Sequence, residues 1–263
     1  MPPAERLYRT QAIVLRRHDL GEADRILTLY TRDYGKLRVV ARGVRKPSSR
    51  KAGHLELFMC ADLLISRGRS LDVISQAEMI DAFLPLRQDL VRAVYASHFV
   101  ELLDAFTEEG DESHDLYKLI SNGLQWAAAA SDLRRAARYF ELHILDLAGY
   151  RPELFHCVVC GTPIRPQDQF YSIPDGGVVC PACAPERPRA RRLSLRALKV
   201  LRYLQTRPYR VVEQLALGPD VQTECERLLH DVLAYHLERR LKSAAFLERL
   251  RREASAQPHR SER

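Results

Sequence analysis

The sequence predicts an α+β chain: an N-terminal five-stranded barrel, then an all-helical domain with a four-cysteine module inserted in it. Three observations carry this. From Tyr8 to Glu78, apolar residues come in short alternating runs separated by turn residues, the period-two signature of strands. After Pro85 the apolar spacing becomes helical. Two Cys-x-x-Cys pairs, Cys157–Cys160 and Cys180–Cys183, then interrupt the helical part.

The first strand is expected in TQAIVLRRHD (10–19) and the second in RILTLYT (25–31), joined across LGEAD. A DYG turn leads to KLRVVARG (36–43), where Leu37, Val39 and Ala41 alternate with Lys36, Arg38 and Val40. A loop spans roughly 44–54, followed by LELFMCADLLIS (55–66), a turn at RGRS and LDVISQAEMI (71–80). Five short antiparallel strands suit closure, because a closed barrel has no exposed edge. The oligonucleotide-binding barrel is the leading arrangement and an SH3-like barrel the alternative, since the pattern does not fix strand order.

Three helices are expected next, in 86–110, 115–130 and 132–150, with apolar faces that pack together. Beyond the cysteines, LSLRALKVLRYLQT (193–206) repeats leucine at helical spacing, Pro208 breaks the pattern, and a long helical tract runs over 223–253. His98, His143 and Trp126 fit a helical interior, and Cys60 and Cys225 read as small buried apolar groups. The expected domains are the barrel (1–80), the first helical part (81–150), the cysteine module (151–190), the closing helices (191–250) and a basic tail (251–263).

The net charge is +7, and it is unevenly spread. Residues 1–80 hold 15 basic and 9 acidic groups, 81–150 hold 6 and 12, and 151–263 hold 20 and 13. A basic flank favours an anionic partner. The start, MPPAERLYRT, lacks an apolar core of signal-peptide length, and no apolar stretch long enough to span a bilayer occurs, so a cytoplasmic protein without a membrane is expected.

The densest positive stretch is VARGVRKPSSRKAGHLEL (40–57). Lys36, Arg38, Arg42, Arg45, Lys46, Arg50 and Lys51 lie on the third strand and the loop after it, and residues 32–51 hold eight basic groups against the single acid Asp33. Lys36, Arg38 and Arg42 are spaced by even numbers of residues, so on one continuous strand they would share its solvent face. Such a groove would track a phosphate backbone by salt-sensitive contacts, although an ordinary solvated loop has similar composition. Tyr30, Tyr34 and Phe58 lie nearby, each equally placed for core or for base stacking.

The cysteine knuckles, nineteen residues apart, can wrap four thiolates around one zinc, with Gly161 turning the first and Gly176–Gly177 marking a hairpin before the second. Four cysteine ligands leave no open position for water, so one structural Zn2+ is expected, with His156 a spare ligand beside it. No phosphate-gripping glycine-lysine loop, H-E-x-x-H or nucleophile elbow is present, and the chain reads as a non-enzyme. Glu22 and Asp24 read as support for a turn, because carboxylates repel phosphate.

The segment GEADRILTLYTRDYGKLRVVARGVRKPSSRKAGHLELF (21–58) resembles the N-terminal signature of the bacterial RecO recombination-mediator family, with Gly21, Glu22, Asp24, Thr31, Gly35, Ala41, Gly43, Arg45 and Ser49 at its positions. The order that follows, acidic-rich helices, a cysteine lobe and closing helices, is similar too. The resemblance implies a mediator that binds single- and double-stranded DNA and anneals complementary strands. With RecR it would help RecA replace single-stranded-DNA-binding protein (SSB), with a functional link to RecF. It also implies that the barrel-face arginines and lysines meet phosphate. The helical domain would take the SSB C-terminal tail, with Arg92, Arg134, Arg135 and Arg138 near it. Two other classes share these features: a zinc-stapled RNA-binding protein, and a structural adaptor that joins proteins through its helices.

Overall fold

The structure, a computed structural model, describes residues 6–238, 241–244, 246–247 and 249, so the expected basic tail lies outside the described residues. The chain divides into two compact units, 1–129 and 130–263.

In the first unit, β1 (Leu7–Leu20), β2 (Asp24–Thr31), β3 (Gly35–Ala41), β4 (Cys60–Ser66) and β5 (Asp72–Asp81) close into a barrel in the order β1-β2-β3-β5-β4. This is the oligonucleotide-binding arrangement. β1 is long because it pairs with both β2 and β4, and a bulge between Val14 and Arg16 bends it between the two partners. One contact departs from the expected antiparallel set: β3 and β5 run parallel. Alternation fills the interior with Val14, Leu27, Leu29, Val39, Leu63, Ile65 and Ile74, while Arg38 stands outside.

The fourth strand begins at Cys60, five residues later than its apolar pattern predicts. Leu55, Phe58 and Met59 are buried, but as a plug. Phe58 takes a left-handed backbone (φ 68°), and the plug is tied to the β1 bulge by Phe58 N–H to Val14 O (2.9 Å) and Val14 N–H to Met59 O (3.0 Å). Apolar content here reflects burial without extension.

The expected helix over 86–110 is broken. Asp89 is extended between α1 (Pro85–Gln88) and α2 (Leu90–Phe106), and its carboxylate caps α2 by accepting from Val91 N–H (2.8 Å) and Arg92 N–H (3.1 Å). α2 packs on α3 (His114–Ala129).

The second unit holds α4 (Leu133–Leu147), a three-stranded sheet of β6 (Gln169–Ser172), β7 (Gly177–Val179) and β8 (Arg191–Leu193), then α5 (Leu195–Thr206), α6 (Tyr209–Val212) and α7 (Pro219–Leu237). The expected first helical part, 81–150, is thus divided: α1–α3 belong to the barrel's unit, and α4 packs with α5 and α7. The long tract expected over 223–253 starts earlier, at Pro219, and α7 stops where Glu238 turns left-handed (φ 51°).

Candidate nucleic-acid interface and metal centre

The turns at both ends of β3 are built by the residues singled out in the sequence. The Thr31 hydroxyl donates to Gly35 O (2.9 Å) and accepts from Tyr34 N–H (3.0 Å), closing the β2–β3 turn. Asp24 accepts from Gly43 N–H (2.7 Å), fixing where the chain leaves β3. Asp24 therefore has a backbone role, as expected.

From this frame the seven basic residues take different positions. Arg42, Lys46 and Arg50 are exposed and, among the described residues, carry no ion pair. Arg38 is exposed beside Glu109 (3.7 Å). Arg45 is tethered to Gly21 O (2.8 Å) and lies 3.4 Å from Asp19. Lys51 reaches Ile74 O (2.9 Å), and burial lowers the pKa of its ammonium.

Lys36 differs most from expectation. Its ammonium is 11% exposed and turned into the protein, where it donates to the Asp104 carbonyl (2.9 Å), the Asp104 carboxylate (3.2 Å) and the Thr107 carbonyl. It ties β3 to the end of α2. The even spacing that groups it with Arg38 gives the strand face correctly, but not that the segment after α2 covers this end of the face. Lys36→Ala should therefore lower unfolding stability by about 3 kcal/mol, the scale of a few charge-assisted hydrogen bonds. DNA affinity below the melting range should stay within about twofold of wild type; urea titration and anisotropy check the two parts.

The neighbouring aromatics belong to the interior. Tyr30 is fully buried and donates to Asp111 O (3.2 Å), Phe58 is buried, and Tyr34 is half-buried against Tyr8, ring centroids 4.6 Å apart. What sequence reasoning missed is the acidic strap after α2. Gly110 N–H donates to Lys36 O (2.9 Å), which brings Glu109 to Arg38; acidic residues this far along the chain show no periodicity that pairs them with β3.

In the second unit the cysteines converge. The first knuckle turns back through Gly161 N–H to Cys157 O (2.8 Å), with Gly161 at φ 71°, and the second through Cys183 N–H to Cys180 O (3.0 Å). The β6–β7 hairpin joins them; a Cβ on Gly177 would lie 2.7 Å from Glu153 O, so glycine there lets two backbones touch. The four Sγ atoms all lie within 4.8 Å of one another, with Cys160 and Cys180 at 3.9 Å. A tetrahedral metal–thiolate site with bonds of about 2.3 Å has sulfur–sulfur edges of about 3.8 Å, so the cage has the right size.

The charges agree with that reading. The Thr162 hydroxyl and N–H push the Cys160 thiol down to about 6, while the Cys180 and Cys160 sulfurs push Cys183 up to about 12. Four sulfurs this close cannot all be anionic without a cation among them. Cys157 is buried, and its sulfur accepts from Cys180 N–H (3.3 Å). The cluster can coordinate a metal ion. His156 is exposed near Glu153 (3.8 Å) and outside the cysteine set.

Comparison with known proteins agrees with both halves. A family model described as "Recombination protein O N terminal" matches residues 5–83, and one described as "Recombination protein O C terminal" matches 87–245. The chain belongs to the recombination protein O (RecO) family. It is 41% identical over 247 residues to "DNA repair protein RecO" of Roseiflexus sp. (strain RS-1), covering 94% of this chain and 87% of that one. It is 36% identical to the protein of that name from Desulforamulus reducens and 39% identical to the one from Pelotomaculum thermopropionicum. Each covers 93% of this chain, and 95% and 94% of the relative.

In this member of the RecO family, the helical arginines are structural. Arg134 holds Glu226 (3.0 Å) and Thr223 (3.2 Å), and Arg135 donates to Leu215 O. Arg138 is buried between Glu141 and Glu226, joining α4 to α7. Arg92, in the other unit, donates to Ala127 O (2.9 Å) and pairs with Asp89 (3.7 Å). These four are distributed over two internal networks.

Proposed function

We propose that this RecO chain is a DNA-repair and homologous-recombination mediator. It binds single- and double-stranded DNA, anneals complementary strands and, with RecR, helps load RecA onto SSB-coated single strands. The observation that carries this reading is the presentation of Arg38, Arg42, Arg45, Lys46 and Arg50 on β3 and its loop, beside a closed barrel whose turns use the family's signature residues. These cations meet phosphate, while Lys36 and Lys51 hold the surface in place. The function is mediation without covalent chemistry, in the cytoplasm at the nucleoid, with RecR, the SSB tail, RecA and RecF as the partners implied by the family.

The cage holds one structural zinc through Cys157, Cys160, Cys180 and Cys183. Four thiolates complete a tetrahedral shell, so the ion would staple the lobe and not activate water.

The test is anisotropy of labelled single-stranded DNA, bare and SSB-coated, over a salt series. Changing Arg38, Arg42, Arg45 and Lys46 to alanine should weaken binding on the order of 100-fold and flatten the log K against log salt slope by about 3. Unchanged affinity and slope would remove the barrel surface from the DNA path. Preference for structured RNA over DNA would replace the mediator with an RNA-binding reading.

A further inference from the structure

From Arg187 to Arg210 the chain holds nine basic residues and no acidic one, a longer acid-free run than the barrel loop. Four of the nine have internal partners. Arg187 pairs with Asp175 (2.9 Å), Arg191 with Asp231 and Arg192 with Asp168 (2.7 Å), and Arg202 donates to Leu154 O (2.8 Å). Arg189, Arg196, Lys199, Arg207 and Arg210 carry no ion pair among the described residues, and all five are exposed.

Three of these five belong to α5 and its C-terminal cap. Ala197, Leu198, Leu201 and Leu204 bury one face of the helix. Arg196, Lys199 and Tyr203, at spacings of three and four, form a stripe on another face, and Arg207 follows at the cap. The helix contains no carboxylate that could pair along its surface at i±3 or i±4. Arg196 stands in the first turn, where the helix dipole disfavours a cation. A merely solvated face gains nothing from this arrangement, since mixed charges would be more stable and equally soluble.

We propose that the α5 stripe, which belongs to the other unit from the barrel loop, is a second nucleic-acid surface that takes a single strand. Cations about one helical turn apart meet successive phosphates, and the half-buried Tyr203 between them offers a ring edge or face to a base. An acidic peptide would use the charges but has no need of the ring. Two surfaces on one chain let it hold two strands, as annealing requires; the barrel surface alone holds one.

The test uses the full-length protein and two differently labelled oligothymidylates, which cannot pair with each other. Anisotropy reads binding of the first strand, and energy transfer reads their joint capture on one molecule. The triple variant Arg196→Ala, Lys199→Ala, Arg207→Ala should bind the first strand within about twofold of wild type and capture both strands about tenfold more weakly. Photocrosslinking of bromouridine-substituted DNA to the wild-type protein, which needs no variant to fold, should give adducts at Tyr203. Joint capture equal to wild type by a folded triple variant would overturn the proposal. So would crosslinks confined to the barrel, or a variant that loses only an acidic peptide. If the barrel variant instead binds the first strand normally, the proposed barrel function fails, and the second surface is judged by the crosslinks alone.

Discussion

Cys157→Ser is expected to strip the metal from the second unit and unfold the lobe between α4 and α5. Cys157 is the buried member of the set, and its sulfur receives the Cys180 N–H, so it links the two knuckles even before an ion is considered. A serine hydroxyl does not ionise at neutral pH and cannot supply the fourth thiolate. The three remaining sulfurs then face one another without the cation that offsets their charge. In small zinc domains the apparent binding free energy is about 10–16 kcal/mol, and it is folding free energy. The sheet of β6, β7 and β8 has two three-residue strands and one of four, too little to persist alone. Plasma mass spectrometry should find about one zinc per wild-type chain and almost none in the variant, with the lobe opened to limited proteolysis. Cys160→Ser, at the exposed corner, should be milder, with weakened zinc retention and a folded lobe. A compact lobe free of metal in wild-type protein would end the zinc assignment.

Gly35→Ala should cost the first unit about 3–5 kcal/mol, the range of a severe single substitution. Two effects add. Gly35 lies at φ 61°, where an alanine is disfavoured by roughly 1–2 kcal/mol. Its new Cβ would also stand 2.1 Å from Asp111 O and 2.9 Å from Glu112 N, so the strap after α2 must move. That strap cannot move freely, because Gly110 N–H bonds to Lys36 O and the Lys36 ammonium bonds to Thr107 O. Gly43 is the control: its φ is 63°, but the nearest atom to an added Cβ is the Lys46 side chain at 3.8 Å. Gly43→Ala should therefore show only the backbone cost of roughly 1–2 kcal/mol. Equal midpoints for the two variants in urea would mean that the strap contact contributes nothing.

The comparison of these glycines shows what a sequence can reveal. Alternation gave the barrel because Val39 and Ala41 face a core while Arg38 faces water, and the knuckle spacing gave the cage because two short loops bring four sulfurs together. Less was legible where one segment covers another. Lys36 and Arg38 look alike two residues apart, yet one is anchored under Asp104 and the other is exposed, a distinction set by chain nearly seventy residues away. The stretch from Leu55 to Met59 reads as strand because burial, not extension, selects its apolar residues. The α4 arginines look like a recognition surface, but Glu226 on α7 neutralises two of them, a pairing no local pattern contains. The division of the helices between two units is invisible for the same reason: α3 and α4 are neighbours in sequence with similar apolar periodicity.

The barrel's closing contact has a dynamic meaning. β3 and β5 meet through only two registered pairs, Val39 with Asp72 and Val40 with Val73, whereas β1 and β4 share seven. Asp72 is held there by the Tyr8 hydroxyl (2.6 Å) and Gly68 N–H (2.9 Å), and Lys51 reaches across to Ile74 O. The wall should therefore part along this line before any other, and its amides should exchange with solvent by local opening at a lower free energy than those of β1. Lys51 belongs to the same loop as Arg42, Arg45, Lys46 and Arg50, so the segment proposed to meet phosphate is also the clasp of the barrel. A strand lying on that loop would slow hydrogen exchange in β5, well away from any phosphate it touches.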